Sequence, residues 1–525
     1  MSNISESSPD VEQKSNRNIV LGVVLGYVSI ALAIVSGLIF TPWIIRSIGK
    51  SEHGVYAIAI SVINLFLVDF GLSGAVNRFA SKYRTSGEAE KLRTILGLIY
   101  KIYFFLDIIV ASVFVVIYFF AHNIYQQLTF DQCEELKNVI LIVGAYSLLS
   151  FPATTFDGIL KAYEDFAVLK LIEILQKLVY IGLTIAAIYF HFGLYALVFA
   201  NVISGLLMIF SKWVYIRFKI KIKVKIFTKS DKNDLKVLFS YSLWTAIMSI
   251  CSRLIFNVVP SIIGIVGGKS GDATIEASVF SVASNIEDYI STFGSVLTGF
   301  FMPKVMRIQA NDNEADCKEK IQNLSEKTGR IQLILVGLII VGFAACGQDF
   351  IAVWMKDDTY SPAYLGAILI SIYQFFYTPT LVFKTAVITD KNIKYVSFVE
   401  LFAAILNVAL CFLLVSQWGM MGACVSIFIS SSVRMVALYF LYSKTIGANI
   451  PHFLKVVYGR QTIVCLVSLA SGLLFTYFAK ISDLKVKLLI NVVLTASIYL
   501  LMSFFLLKKE ERLFLFSIFK KKSNK

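Results

Sequence analysis

The sequence predicts an all-α, polytopic membrane protein: about 14 transmembrane helices, in two parallel-repeat six-helix lobes plus two C-terminal helices. Three observations lead there: the composition, the spacing of the apolar runs, and an internal repeat. Of the 525 residues, 57% are hydrophobic and only 16% are charged, with a mean hydropathy of +0.74. A soluble domain carries about 25% charged residues. This chain has too little polar surface to coat a soluble fold. Soluble enzymes, DNA-binding domains and disordered scaffolds are excluded, and no nucleic-acid partner is expected despite a net charge of +15.

A spanning helix needs roughly 20 apolar residues. Residues 1–17 form a polar tail of mixed charge, expected to be cytoplasmic. They lack a cleavable leader pattern, so the first apolar run reads as a retained anchor. An N-terminal lobe, 18–216, takes six spans over 19–45, 55–76, 96–121, 139–160, 169–190 and 194–216. Residues 217–236 form a basic cytoplasmic linker. A second lobe, 237–443, takes spans over 237–263, 277–302, 331–354, 363–388, 396–415 and 420–441. The segment 444–507 carries two more, over 462–479 and 488–507. The basic tail, 508–525, holds Leu513-Phe-Leu-Phe516 between lysine clusters and reads as an interfacial helix. A β-barrel is excluded, because alternating ten-residue strands are absent.

Lysine and arginine fix the orientation. With the N-terminus inside, the inside segments, such as Arg78 to Arg93 and Lys212 to Lys236, hold several-fold more basic residues than the outside loops. Both termini are therefore expected in the cytoplasm. With those close to the inside span ends counted to the loops, the four basic residues left within spans are Lys101, Lys177, Arg253 and Arg434.

The first six spans resemble the next six. Pro42-Trp-Ile-Ile-Arg-Ser-Ile-Gly49 and Pro260-Ser-Ile-Ile-Gly-Ile-Val-Gly267 share Pro, Ile, Ile and Gly at an offset of 218. Pro152, Phe156 and Glu173 match Pro379, Phe383 and Glu400 at an offset of 227. Gly193-Leu-Tyr-Ala matches Gly419-Met-Met-Gly one residue short of that. A repeat of six spans keeps one orientation, so the copies form a parallel repeat, an architecture of alternating-access transporters. Pro152 and Pro379 fall within spans, where each removes a donor and kinks its helix. The matched kinks read either as bending points or as fixed packing features.

The residues Ile48-Gly49, Gly54-Val-Tyr56, Asp69-Phe-Gly71-Leu and Asn77-Arg78-Phe79 resemble those of Wzx-type polysaccharide flippases of the MOP exporter superfamily. The resemblance covers most of residues 17–507. It implies translocation of a lipid-diphosphate-linked oligosaccharide from the cytoplasmic to the outer leaflet. It also implies a bacterial cytoplasmic (inner) membrane location, service to a capsule or O-antigen pathway, and contact with membrane lipids and with the polysaccharide polymerase machinery. Such proteins often carry Asp-Arg in span seven. Here the pair is Ser252-Arg253, so a role borrowed for that acid has no bearer.

Charges inside spans are costly, at roughly 2.5–3.5 kcal/mol on insertion scales, and face protein or water. Arg253, deep in span seven, reads as a lumen cation for a diphosphate or as the structural partner of an intramembrane acid. Arg434 in span twelve carries the same two readings. Lys177 is a further lumen candidate, although Glu173, four residues before it, offers a structural pair. Lys101 sits near a helix end and snorkels. Asp69, Glu287, Asp288 and Asp157 read as coupling or charge-balancing acids, the first three mid-span; Asp157 and Glu400 lie nearer the cytoplasmic mouth. Tyr27, Tyr241 and Tyr373 are positioned to stack on a sugar. The alternating Lys pattern of 217–225 reads as an ordinary positive stop, or else as an anionic-lipid contact.

No catalytic residue, metal site or cofactor is expected. The four histidines form no ligand pair. Gly264 to Ser270 has the wrong spacing for a phosphate loop. The seven cysteines show no CxxC and read as packing residues. Two alternatives remain: a cation-coupled multidrug exporter of the same fold, and a membrane-bound glycosyltransferase or polymerase. The second would need a larger outside loop than 122–138 provides.

Overall fold

The computed structural model describes the backbone of residues 9–66, 71–222, 232–267, 271–295, 298–311 and 313–506. Over these residues the chain is helical, with no strand. Contacts divide it into two units.

The first unit comprises Met1–Ser281 and Val408–Ala423. It begins with α1 (Pro9–Ile48), α2 (Lys50–Phe66), α3 (Leu72–Thr85), α4 (Ala89–Ile124), α5 (Phe130–Ala153), α6 (Thr155–Ala162), α7 (Phe166–Tyr189) and α8 (Leu194–Tyr215). Then come α9 (Lys232–Phe256), α10 (Val259–Val266) and α11 (Ala273–Ser295), whose start belongs here. Within this unit α1 packs on α7, α7 on α8, α4 on α5, and α2 on α5 and α10. A core of Leu72, Val76, Leu96, Ile99, Tyr103, Phe151 and Leu160 joins α3, α4, α5 and α6.

The second unit comprises Val282–Asn407 and Cys424–Lys525. It holds the rest of α11, then α12 (Thr298–Asn311), α13 (Glu314–Met355), α14 (Pro362–Tyr377), α15 (Leu381–Val387), α16 (Ile393–Trp418), α17 (Met420–Ile446), α18 (Ile450–Phe478) and α19 (Leu484–Leu506). The segment of α16 and α17 around their shared hairpin falls in the first unit. Helix α13 packs along α18 and α19, which also pack on each other.

Eleven helices, or twelve counting one bent pair, are long and apolar enough to cross a membrane among the described residues. The sequence leads to about 14; spans two and eight each include residues outside the described ones (67–70 and 296–297) and so fall outside that count. In span two, α3 starts after Gly71, which holds a left-handed backbone (φ 68°). Span seven is the bent pair, α9 and α10, meeting at 46° just before Pro260.

The same local structures recur at the repeat offsets. Gly49 donates its amide to Ile45 (2.9 Å) and Gly267 donates to Ile263 (2.8 Å), 218 residues on. Both glycines have positive φ, which ends the helix at the same point in each copy. Thr154 donates to the Phe151 carbonyl, and Leu381, 227 residues on, donates to Thr378. These bonds mark where α5 gives way to α6 and α14 to α15, next to Pro152 and Pro379. Gly193 and Gly419 share a φ of 55°. The amide after each is held by a carboxylate from an earlier helix start: Leu194 by Glu52, and Met420 by Glu276 at 3.0 Å.

Candidate functional site

The second unit encloses a cluster of charges. Near its C-terminal end, α14 presents Tyr373, Gln374 and Tyr377, and Thr378 follows at the Pro379 turn. Glu287 of α11 is buried against this segment. One of its oxygens accepts from Tyr373 Oη (3.0 Å) and Gln374 Nε2 (2.8 Å). Gln374 is fixed in turn by Thr378, which donates to its carbonyl oxygen at 2.9 Å. Arg434 of α17 lies between two rings, 5.2 Å from the centroids of both Tyr373 and Tyr377. Its Nη1 meets Glu400 Oε2 of α16 at 3.1 Å, and Lys384 Nζ of α15 meets Glu400 Oε1 at 2.8 Å. Lys384 also donates to Tyr377 Oη (2.8 Å). Two cations and two carboxylates thus share one network, with the side chains of Arg434 and Glu400 only 5% and 4% exposed. The ion pairs balance around Glu400. Glu287 is held by the neutral donors Tyr373 and Gln374. Asp288, beside it in sequence, is exposed.

The other candidates lie in the first unit. Arg253 is half-buried in the last turn of α9, and its Nη1 donates to the Asn64 carbonyl near the C-terminal end of α2. Arg253 thereby ties α9 to α2. Asp157 is bound by Lys212 (2.7 Å), a lysine whose side chain is 5% exposed. By sequence Lys212 reads as part of the basic cytoplasmic face; it points inward. Glu173 is bound by Lys170 at 2.7 Å, one turn before it, where the sequence spacing points to Lys177. Lys177 is half-buried on the same helix, and Lys101 is exposed. Tyr27 is 42% exposed, whereas Tyr373 belongs to the buried network. Asp69, the side chain of Tyr241 and the tail 508–525 lie outside the described residues.

Sequence reasoning passes over Lys384 and Asp107 and gives Glu400 too little weight. Lys384, near the end of the span read at 363–388, counts by sequence as a lysine of the cytoplasmic face but sits within the network; its match to Asp157 at the 227 offset is the signal that marks it. Glu400, placed nearer the cytoplasmic mouth, is the anion on which both network cations converge. Asp107, in the middle of the apolar α4, is half-buried, with one oxygen left without a hydrogen bond among the described residues. Among those residues, no group of three His, Cys, Asp or Glu side chains is placed to hold a metal.

The Gly49 and Gly267 end of the first unit is held by a polar latch. Ser51 meets Thr274 (2.9 Å), His53 Nδ1 meets Ser278 (2.9 Å), and Tyr125 meets Ser261 (2.8 Å). Gln132 Nε2 donates to Ser51 (2.9 Å) and to Asp272 (3.2 Å). Gly54 makes the approach possible. A β-carbon there would overlap the Thr274 carbonyl oxygen.

The profile of a family described as polysaccharide biosynthesis protein matches residues 22–298, more than half of the chain. The chain belongs to the polysaccharide biosynthesis protein family. This polysaccharide biosynthesis family member is similar in fold to the lipid II flippase MurJ in its inward closed conformation, with a TM-score of 0.69 and 17% identity. That match covers 92% of this chain and 98% of the flippase. A multidrug resistance MATE family transporter of the MOP superfamily, inward-facing, matches at TM-score 0.63 and 10% identity, covering 82% and 98%. The eukaryotic MATE transporter AtDTX14 matches at 0.58 and 14%, covering 83% and 98%. No curated protein sequence matches the chain. The family member is a multi-pass membrane protein with the fold of transporters, not of enzymes.

Proposed function

We propose that the protein is a flippase that moves a polyprenyl-diphosphate-linked oligosaccharide repeat unit from the cytoplasmic to the outer leaflet by alternating access, for surface polysaccharide biosynthesis. On this reading it resides in the bacterial cytoplasmic membrane with both termini inside and hands its product to the polymerase machinery. The observation that carries the reading is Arg253, a guanidinium half-buried in an apolar helix, in a chain of the polysaccharide biosynthesis family. A planar fork suits a diphosphate better than a point charge does. Basic side chains set deep in spans argue against a cationic drug as cargo. Arg434 is closed in by Glu400 and two tyrosines, and on this reading it serves coupling with Glu287 rather than substrate contact.

The test is transport in proteoliposomes loaded with a labelled polyprenyl-diphosphate oligosaccharide, read by accessibility of the sugar to an external lectin. Wild type moves the label, Arg253→Lys moves it partially, and Arg253→Ala does not, at equal reconstituted protein. Full activity of Arg253→Ala removes the residue from this role. Loss of drug efflux in a deletion strain that keeps normal surface polysaccharide would favour the multidrug exporter instead.

A further inference from the structure

A second basic site lies apart from the buried network. Helices α13, α18 and α19 enclose a cavity of about 340 Å³ in the second unit, lined in part by Arg330, Lys455, Arg460 and His452. Its lining also includes Gln461 and Ser503, which are buried and joined by a 2.9 Å hydrogen bond, and the apolar Ile334, Val456, Val457 and Leu506. The cations come from one face of α18 (His452, Lys455 and Arg460) and from Arg330 of α13. Lys455 and Arg460 are exposed and Arg330 is half-buried. Among the described residues, Glu326 reaches His452 at 3.6 Å and accepts from Gln322.

The depth of the site follows from helix length. Helix α18 has 29 residues, about 44 Å at 1.5 Å per residue, against a hydrocarbon core of about 30 Å. The surplus turns lie beyond the hydrocarbon. On α18 the cavity is lined by residues 452–461, which precede the apolar run read from the sequence at 462–479, so it sits at headgroup level. Cations at that level above apolar walls match one kind of ligand: a phosphate ester with acyl or prenyl chains attached. We propose that this cavity binds the phosphate of an anionic membrane lipid, with the phosphate among Arg330, Lys455 and Arg460 and the first methylenes along Val456, Val457 and Leu506. The proposal does not depend on which cargo the protein carries.

The test measures binding, not transport. Full-length protein in neutral detergent is titrated with phosphatidylglycerol, with a polyprenyl diphosphate, with phosphatidylcholine and with inorganic phosphate, and bound lipid is read by native mass spectrometry. The expected result is retention of the anionic lipids over phosphatidylcholine, weakened about tenfold or more in Lys455→Gln/Arg460→Gln. Both residues are exposed, so the variant keeps its fold. The matched control Lys82→Gln/Lys91→Gln removes two exposed charges elsewhere and leaves binding unchanged. A preference for the polyprenyl diphosphate assigns the site to a carrier lipid, and a preference for phosphatidylglycerol assigns it to bulk lipid. Equal loss in both variants, equal retention of phosphatidylcholine, or binding of inorganic phosphate as tight as that of lipid overturns the proposal.

Discussion

At the residue scale, the buried charges of the second unit carry the sharpest energetic consequence. Glu400 holds Lys384 and Arg434 together, with almost no solvent on Glu400 and Arg434 and little on Lys384. Removing one member of a buried pair leaves its partner uncompensated and costs about 3–5 kcal/mol. Glu400→Gln is therefore expected to lower the thermal unfolding midpoint in detergent strongly. Glu400→Gln combined with Lys384→Met should recover part of the loss, because a single cation then remains. A double variant no more stable than the single one would mean that the network is not balanced through Glu400. Part of this was legible in the sequence: Arg434 and Glu287 stand out as charges in apolar runs. Their joining was not, because it depends on helix rotation, and helix rotation leaves no mark on a run that is apolar all round. Lys384 stayed hidden for another reason, since it lies close enough to a span end to pass for a surface lysine.

At the scale of elements, glycine and proline placed the breaks well. The sequence marks Pro152 and Pro379 as matched kinks, and the helices do give way beside both. It does not foresee that α3 starts after a left-handed Gly71, because a glycine in an apolar run looks no different from a packing glycine. Gly54 shows the opposite case: it needs no special backbone angle, only the absence of a side chain against Thr274. Gly54→Val is expected to keep the closed end of the first unit from forming. In a background without native cysteines, Ser51→Cys and Thr274→Cys, whose oxygens now lie 2.9 Å apart, should cross-link readily under mild oxidation. Adding Gly54→Val should cut the cross-linked fraction severalfold. Unchanged cross-linking would show that the approach tolerates a side chain.

For the whole molecule, the fold class was the most legible feature, because composition alone leaves no other solvent for this chain than lipid. The six-span repeat was legible from a handful of Pro and Gly positions. It reappears in matching hydrogen bonds at Gly49 and Gly267 and at Thr154 and Leu381. The paired roles of Glu52 and Glu276 were not legible, since their spacing of 224 matches neither of the offsets that the Pro and Gly positions define. The expected orientation, with both termini in the cytoplasm, rests on the basic residues outside the spans. A reporter fused after Lys225 should be active only in the cytoplasm, and one inserted at Lys269 only outside. The reverse pattern would invert the orientation drawn from the basic residues.

The latch also has a meaning in populations. A net hydrogen bond contributes about 1 kcal/mol. The contacts of Ser51, His53, Tyr125 and Gln132 together then favour the closed arrangement of that end by roughly a thousandfold. A bias of this size keeps the end shut at rest. It is also smaller than the roughly 5.5 kcal/mol of differential affinity with which one ligand turns a two-state equilibrium from 1:99 to 99:1. One well-bound cargo, or one ion, is enough to invert the occupancy.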